Sequence, residues 1–164
     1  MFLFDSFEGM LPAKNEQEAG DTHVGMFKGH LNTVKQRLNA GKSWVNLHFI
    51  KGFFEESLTP ELLKNLKKNP PSLVRKDVIL TSSAMTVLNF IKPILQNGTI
   101  VYFENIDAYF TSPLKGEIYA LNKFNEMYGE KTVLSPIQRS FGIQLIQNHA
   151  FVYTSLDGNT TPKI

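Results

Sequence analysis

The chain has 164 residues, 42% of them hydrophobic, which suits one globular domain with a sizeable core. Its 17 Lys and Arg stand against 15 Asp and Glu, a net charge of +2 that is too balanced for a nucleic-acid binder recruited by bulk charge. Cysteine is absent, which excludes disulfides, thiolate metal sites and cysteine nucleophiles. No apolar run approaches the roughly eighteen residues a membrane span needs, and Asp5 and Glu8 interrupt the first apolar stretch, which is therefore no signal peptide. These features lead us to expect a soluble, cytoplasmic protein with no nucleic-acid or membrane partner.

In chain order, residues 1–4 are apolar and read as a short buried strand. Residues 8–26, rich in Gly, Glu, Asn and Asp and carrying Pro12, read as a long polar loop. A helix is expected from Lys28 to Asn39, with Leu31, Val34 and Leu38 on one face and Gly41 as its stop. Trp44 to Phe54 is strand-like, with Val45, Leu47 and Phe49 alternating until Gly52 breaks the run. Thr59-Pro60-Glu61 opens a helix, with a Thr cap, Pro at the first position and an acid in the first turn; it closes at Lys67-Lys68-Asn69 before Pro70-Pro71. Residues 73–80 form a strand. Ser82 or Ser83 then caps a helix to Gln96, whose apolar face holds Val87, Leu88, Ile91, Ile94 and Leu95 and whose last part Pro93 kinks or tightens. Thr99 to Phe103 reads as a strand covered on both faces. Ser112-Pro113 opens a helix that reaches Tyr128 and is closed by Gly129. Two strands near 132–138 and 142–153, joined by a tight turn, complete the expected domain over residues 1–155, and residues 156–164 form a flexible tail.

Strands that alternate with helices indicate an α/β fold with a mainly parallel sheet, and the last two strands add an antiparallel C-terminal hairpin. In such sheets ligands bind at the carboxyl ends of the strands. There the sequence places Asp5-Ser6, then Lys51-Gly52-Phe53-Phe54, then Asp77, then Glu104-Asn105-Ile106-Asp107. An acid at a strand end can accept hydrogen bonds from ribose hydroxyls, and several acids with a carboxamide make an oxygen-rich site that suits Mg²⁺, Ca²⁺ or Mn²⁺. Each acid alone is more often a cap or turn former than a ligand. Among the four histidines, no two have metal-ligand spacing.

Several segments resemble a known family. Phe4-Asp5-Ser6-Phe7-Glu8-Gly9, followed by Pro12, is similar to the "FDSFEGLP" of the macrocin O-methyltransferase family of class I S-adenosylmethionine (SAM) methyltransferases. Lys51-Gly52-Phe53-Phe54-Glu55-Glu56 resembles its "KGWFED", and Asp77 to Ser83 stands where it has "DxDLYSS". Phe103-Glu104-Asn105 stands where it has "FDD", and Gly116-Glu117 with Ala120 resembles its "GExxA" helix. The resemblance implies a Rossmann-like SAM-methyltransferase sheet. It implies that Asp5 and Ser6 lie near the SAM ribose, with Gly52, Phe53 and Phe54 on the adenine side. It also implies a Mg²⁺ held by Asp77, Glu104 and Asn105, which orients the hydroxyls of a small acceptor such as a sugar and lowers their pKa. A carboxylate then takes the proton, and alignment and deprotonation supply the rest of the catalysis.

The departures from the family pattern are specific. Its first strand and its glycine-rich loop, which holds the methionine part of SAM, should lie ahead of Met1 and are missing. The second Asp of "DxD", the expected base, is Ile79, and Asp107 is the candidate substitute beside Asp77. Glu104-Asn105 replaces a pair of aspartates, which removes one formal charge and should weaken Mg²⁺ binding. Three readings follow: a SAM-dependent O-methyltransferase of which this chain is a fragment, a non-catalytic relative that keeps the fold as a binding module, or a short SAM-binding enzyme with different chemistry that a partner subunit completes. An open strand edge left by a missing strand favours self-association in each case.

Overall fold

A computed structural model describes residues 1–15, 18, 23–40, 46–137 and 149–157. The chain divides into two compact units, Met1–Thr59 and Pro60–Ile164, and its strands form two sheets.

The first unit holds β1 (Phe2–Asp5), α1 (Leu31–Ala40), β2 (His48–Lys51) and the short α2 (Phe54–Ser57). β1 and β2 pair in parallel from Phe2↔His48 to Asp5↔Lys51. The ring of Phe2 stacks on that of His48, with centroids 4.9 Å apart. The polar stretch after β1 is ordered by its own short side chains. Asp5 Oδ1 accepts the Phe7 N–H at 2.6 Å, and Ser6 Oγ accepts the Glu8 N–H and donates to the Gly9 carbonyl. These turns hold Phe7 at φ 57, with its side chain buried. Gly9, at φ 84, passes so close to Gly25 that a Cβ there would lie 2.5 Å from the Gly25 oxygen, so only glycine fits. Met10 exchanges backbone hydrogen bonds with Gly25 and Met26, which closes the loop on itself.

The second unit holds α3 (Pro60–Leu66), β3 (Leu73–Lys76), α4 (Thr81–Ile91), β4 (Ile100–Phe103), α5 (Gly116–Tyr128), β5 (Thr132–Pro136) and β6 (Ala150–Ser155), with 3₁₀ turns at Lys92–Ile94 and Ala108–Thr111. Its sheet order is β3-β4-β6-β5. β3 and β4 pair in parallel, whereas β6 runs antiparallel between β4 and β5. The sheet is thus mixed, parallel where helices connect the strands and antiparallel at the C-terminal pair, as the sequence pattern indicates. The core lies on one sheet face: Ala84, Leu88, Ile91, Leu121 and Phe124 from α4 and α5 pack with Val101, Phe103, Leu134, Phe151 and Tyr153 from the strands. The rings of Phe103 and Phe151 meet edge to face at 5.2 Å. Ile100, Tyr102, Val133 and Val152 point to the other face and are only half-buried, so β4 is not sealed on both sides as its composition suggested.

Several boundaries move for identifiable reasons. β3 stops at Lys76 rather than residue 80, and α4 starts at Thr81 with Leu80 as a cap that offers no side-chain bond. The Thr81 hydroxyl instead reaches the Gly116 carbonyl at 3.3 Å, and Ser82 and Ser83 lie inside the helix. Pro93 does tighten the end of that helix into a 3₁₀ turn. α5 begins at Gly116, not at Ser112-Pro113, because the Ser112 hydroxyl and carbonyl form a local turn with the N–H groups of Leu114 and Lys115. β2 is shorter than the Trp44–Phe54 run, and Trp44 and Val45 lie outside the described residues. The tight turn expected before β6, the 142–148 part of that strand and the last seven residues also lie outside them.

Candidate functional site

In each unit the residues singled out from sequence gather at the carboxyl ends of parallel strands. In the first unit that rim is built by Asp5 at the end of β1 and Gly52 just past β2. The Gly52 N–H donates to the Asp5 carbonyl at 3.1 Å, which carries the ladder one residue beyond the strand. Gly52 sits at φ 142, and a Cβ there would press on the Ser57 side chain at 3.3 Å. Phe53 caps α2, and Phe54 begins it; both are half-buried. The Asp5 side chain is exposed. Its Oδ1 holds the turn, but a carboxylate has about four acceptor sites, so acceptor capacity remains for a diol. The Ser6 hydroxyl is engaged on both sides within the turn and shapes the loop. Beside it Glu8 bridges Lys51 at 3.1 Å and Lys28 at 3.2 Å, and these two ammonium groups hold its carboxyl below the ordinary glutamate range.

In the second unit the rim follows Lys76 and Phe103, which are paired in register. Asp77 Oδ1 accepts the Asn105 side-chain N–H at 2.7 Å. Glu104 Oε2 receives the Arg75 guanidinium at 2.9 Å, and that hydrogen bond lowers the Glu104 carboxyl below its ordinary range. Asp107 is exposed on the turn that leads into the 3₁₀ segment. Beneath this layer lies a buried ion pair that sequence reasoning did not find. Lys76 Nζ and Glu117 Oε1 are 2.7 Å apart, with side chains 1% and 0% exposed. The second Glu117 oxygen accepts the Asn105 backbone N–H at 2.9 Å, and the Lys76 ammonium sits 4.6 Å from the centre of the Phe103 ring. Burial pushes the Lys76 ammonium down and the Glu117 carboxyl up, and the attraction between the two opposes both shifts. One signal for it is present in the sequence. Val74 and Lys76 share a strand face by period-two alternation, so a lysine stands where the pattern calls for a core residue.

His149, next to β6, completes the rim. Its backbone carbonyl accepts the Phe103 N–H, and its Nδ1 lies 2.7 Å from the Phe103 carbonyl oxygen. The imidazole stacks on Tyr102 at 5.6 Å.

The Mg²⁺ implied by the resemblance does not fit these donors. The Asp77 carboxylate faces an amide N–H, and because a carboxylate only accepts, Asn105 must turn its nitrogen to it. Glu104 is neutralised by Arg75. Among the described residues no three His, Asp or Glu side chains converge as a metal site.

No protein-family model and no curated protein matches this chain. Solved structures do. A calicheamicin methyltransferase, CalS11, superposes with a TM-score of 0.65 at 22% identity, over 96% of this chain and 60% of its own. The O-methyltransferase NovP matches with a TM-score of 0.58 at 16% identity, over 94% of this chain and 58% of its own. The apo form of CalS11, described as a TDP-rhamnose 3'-O-methyltransferase, matches with a TM-score of 0.50 at 18% identity, over 96% of this chain and 58% of its own. The chain has the fold of these methyltransferases and spans about 60% of the length of the first of them.

Proposed function

We propose that this chain belongs to a SAM-dependent O-methyltransferase that methylates a hydroxyl of a sugar or a similar small molecule. The observation that carries this reading is the match in fold to CalS11 over 96% of the chain. In this reading Asp5 accepts hydrogen bonds from the SAM ribose, and Phe53 and Phe54 wall its adenine. SAM, when bound, supplies a methyl group on a sulfonium sulfur that leaves as a neutral thioether. What the protein must supply besides is orientation of the acceptor and removal of its proton. Asp77 and Asn105 present a fixed pair of hydrogen-bonding groups for that purpose, and Lys76 and Glu117 hold them from below.

The test is isothermal titration of the purified chain with SAM, beside Asp5→Ala. Micromolar binding that weakens at least about tenfold in the variant supports the reading, since one charge-assisted hydrogen bond contributes about 1.5–3 kcal/mol. No heat with either chain would leave the fold as a scaffold without this activity.

A further inference from the structure

We propose that His149 takes the proton from the acceptor hydroxyl, an assignment that rests on the methyl-transfer reading above. Three acids of the second rim are engaged in other tasks, and the fourth, Asp107, lies exposed on the turn that follows β4. Asp77 receives the Asn105 amide, Glu104 receives Arg75, and Glu117 receives Lys76 and the Asn105 backbone. Ile79 stands where the resemblance expects an acidic base, and it cannot accept a proton.

Topology brings His149 to this rim. β6 is antiparallel to β4, so the residue just ahead of Ala150 lies opposite Phe103, where β3 and β4 end. Asp77 and Glu104 leave their strands at the same level. The geometry of the ring then fixes its chemistry. A backbone carbonyl only accepts, so the 2.7 Å contact from Nδ1 to the Phe103 oxygen requires the hydrogen of the neutral ring to sit on Nδ1. The lone pair is therefore on Nε2. The stack on Tyr102, at an interplanar angle of 22°, holds the plane of the ring, and the residue is half-buried. The step is a proton transfer alone. The acceptor O–H bond breaks, an N–H bond forms at Nε2, and the oxygen keeps the electron pair.

Two measurements on the full chain test this. The first is a long-range ¹H–¹⁵N spectrum of the histidine rings, with His149 assigned by its loss in His149→Gln. An Nδ1–H tautomer with a bare Nε2 is expected in the neutral ring, and an Nε2–H tautomer overturns the assignment. The second pairs SAM calorimetry with methyl-transfer assays on a panel of hydroxylated sugars that includes TDP-rhamnose. His149→Gln should bind SAM within about twofold of the parent while kcat falls about 10²–10³-fold, the range of a lost general base. Unchanged kcat with intact SAM binding overturns the His149 assignment only. A parent chain that does not bind SAM overturns the function and this assignment together. A parent that binds SAM but methylates none of the panel gives His149 no proton to take, and the assignment falls.

Discussion

Lys76 and Glu117 are 41 positions apart in sequence and 2.7 Å apart in the fold. Removing one of two buried, paired charges strands the other, at a cost of about 3–5 kcal/mol. Glu117→Ala is therefore expected to lower the stability read by urea denaturation by about that amount. Lys76→Met combined with Glu117→Leu should recover much of it, because a buried pair contributes little net stability against apolar residues of similar volume. The unrecovered part is the Asn105 N–H left without its acceptor, about 1–3 kcal/mol. At the surface of the same strand, Arg75 donates directly to Glu104 at 2.9 Å. Glu104 should titrate below the ordinary value of 4.5, and Arg75→Met should move its midpoint, followed by carboxyl ¹³C shifts, up toward that value. Because the folded pKa is depressed, any stability it brings is present above the unfolded pKa and is lost as pH falls through the folded one. The effect should shrink with added salt, since both side chains meet water.

At the scale of elements, the order of strands and helices was legible from hydrophobic period and from Gly and Pro punctuation, and so was the 3₁₀ tightening at Pro93. What was not legible depends on partners remote in sequence. Serines 82 and 83 have the chemistry of caps, but Thr81 is held by the Gly116 carbonyl 35 residues away, and the helix starts where that bond allows. Ser112 has the same chemistry and forms a turn of its own, so the helix waits until Gly116. The acids of both rims could be placed at strand ends from sequence alone, whereas the hydrogen bond from the Asn105 side chain to Asp77 could not be seen. The contact of the His149 ring with the Phe103 carbonyl could not be read from sequence, because it depends on a ladder with a strand 46 residues earlier. Gly116 itself lies at φ 61, and a Cβ there would come within 2.9 Å of the Tyr109 ring. Gly116→Ala should cost about 1–2 kcal/mol for the left-handed backbone alone and more if the ring cannot move; a thermal melt reads the loss.

At the scale of the whole molecule, each strand at a sheet edge keeps a row of backbone donors and acceptors that no other strand of its sheet fills. β3 is such an edge, and Leu73 on it is 61% exposed. Self-association that rises with concentration is the expected outcome in sedimentation velocity, and Leu73→Lys should reduce it, because a charge on an edge strand opposes pairing with a second chain. No helix among the described residues is long and apolar enough to cross a membrane. The sealed position of Lys76 has one more consequence, for reactivity rather than stability. Its side chain is 1% exposed, while those of Lys14, Lys28 and Lys51 are 52–53% exposed. An acylating reagent should label those three within the first minutes and reach Lys76 only through opening of the second unit. Mass spectrometry of the Lys76 peptide against time would then serve as a clock for that opening, in a chain that needs no added probe.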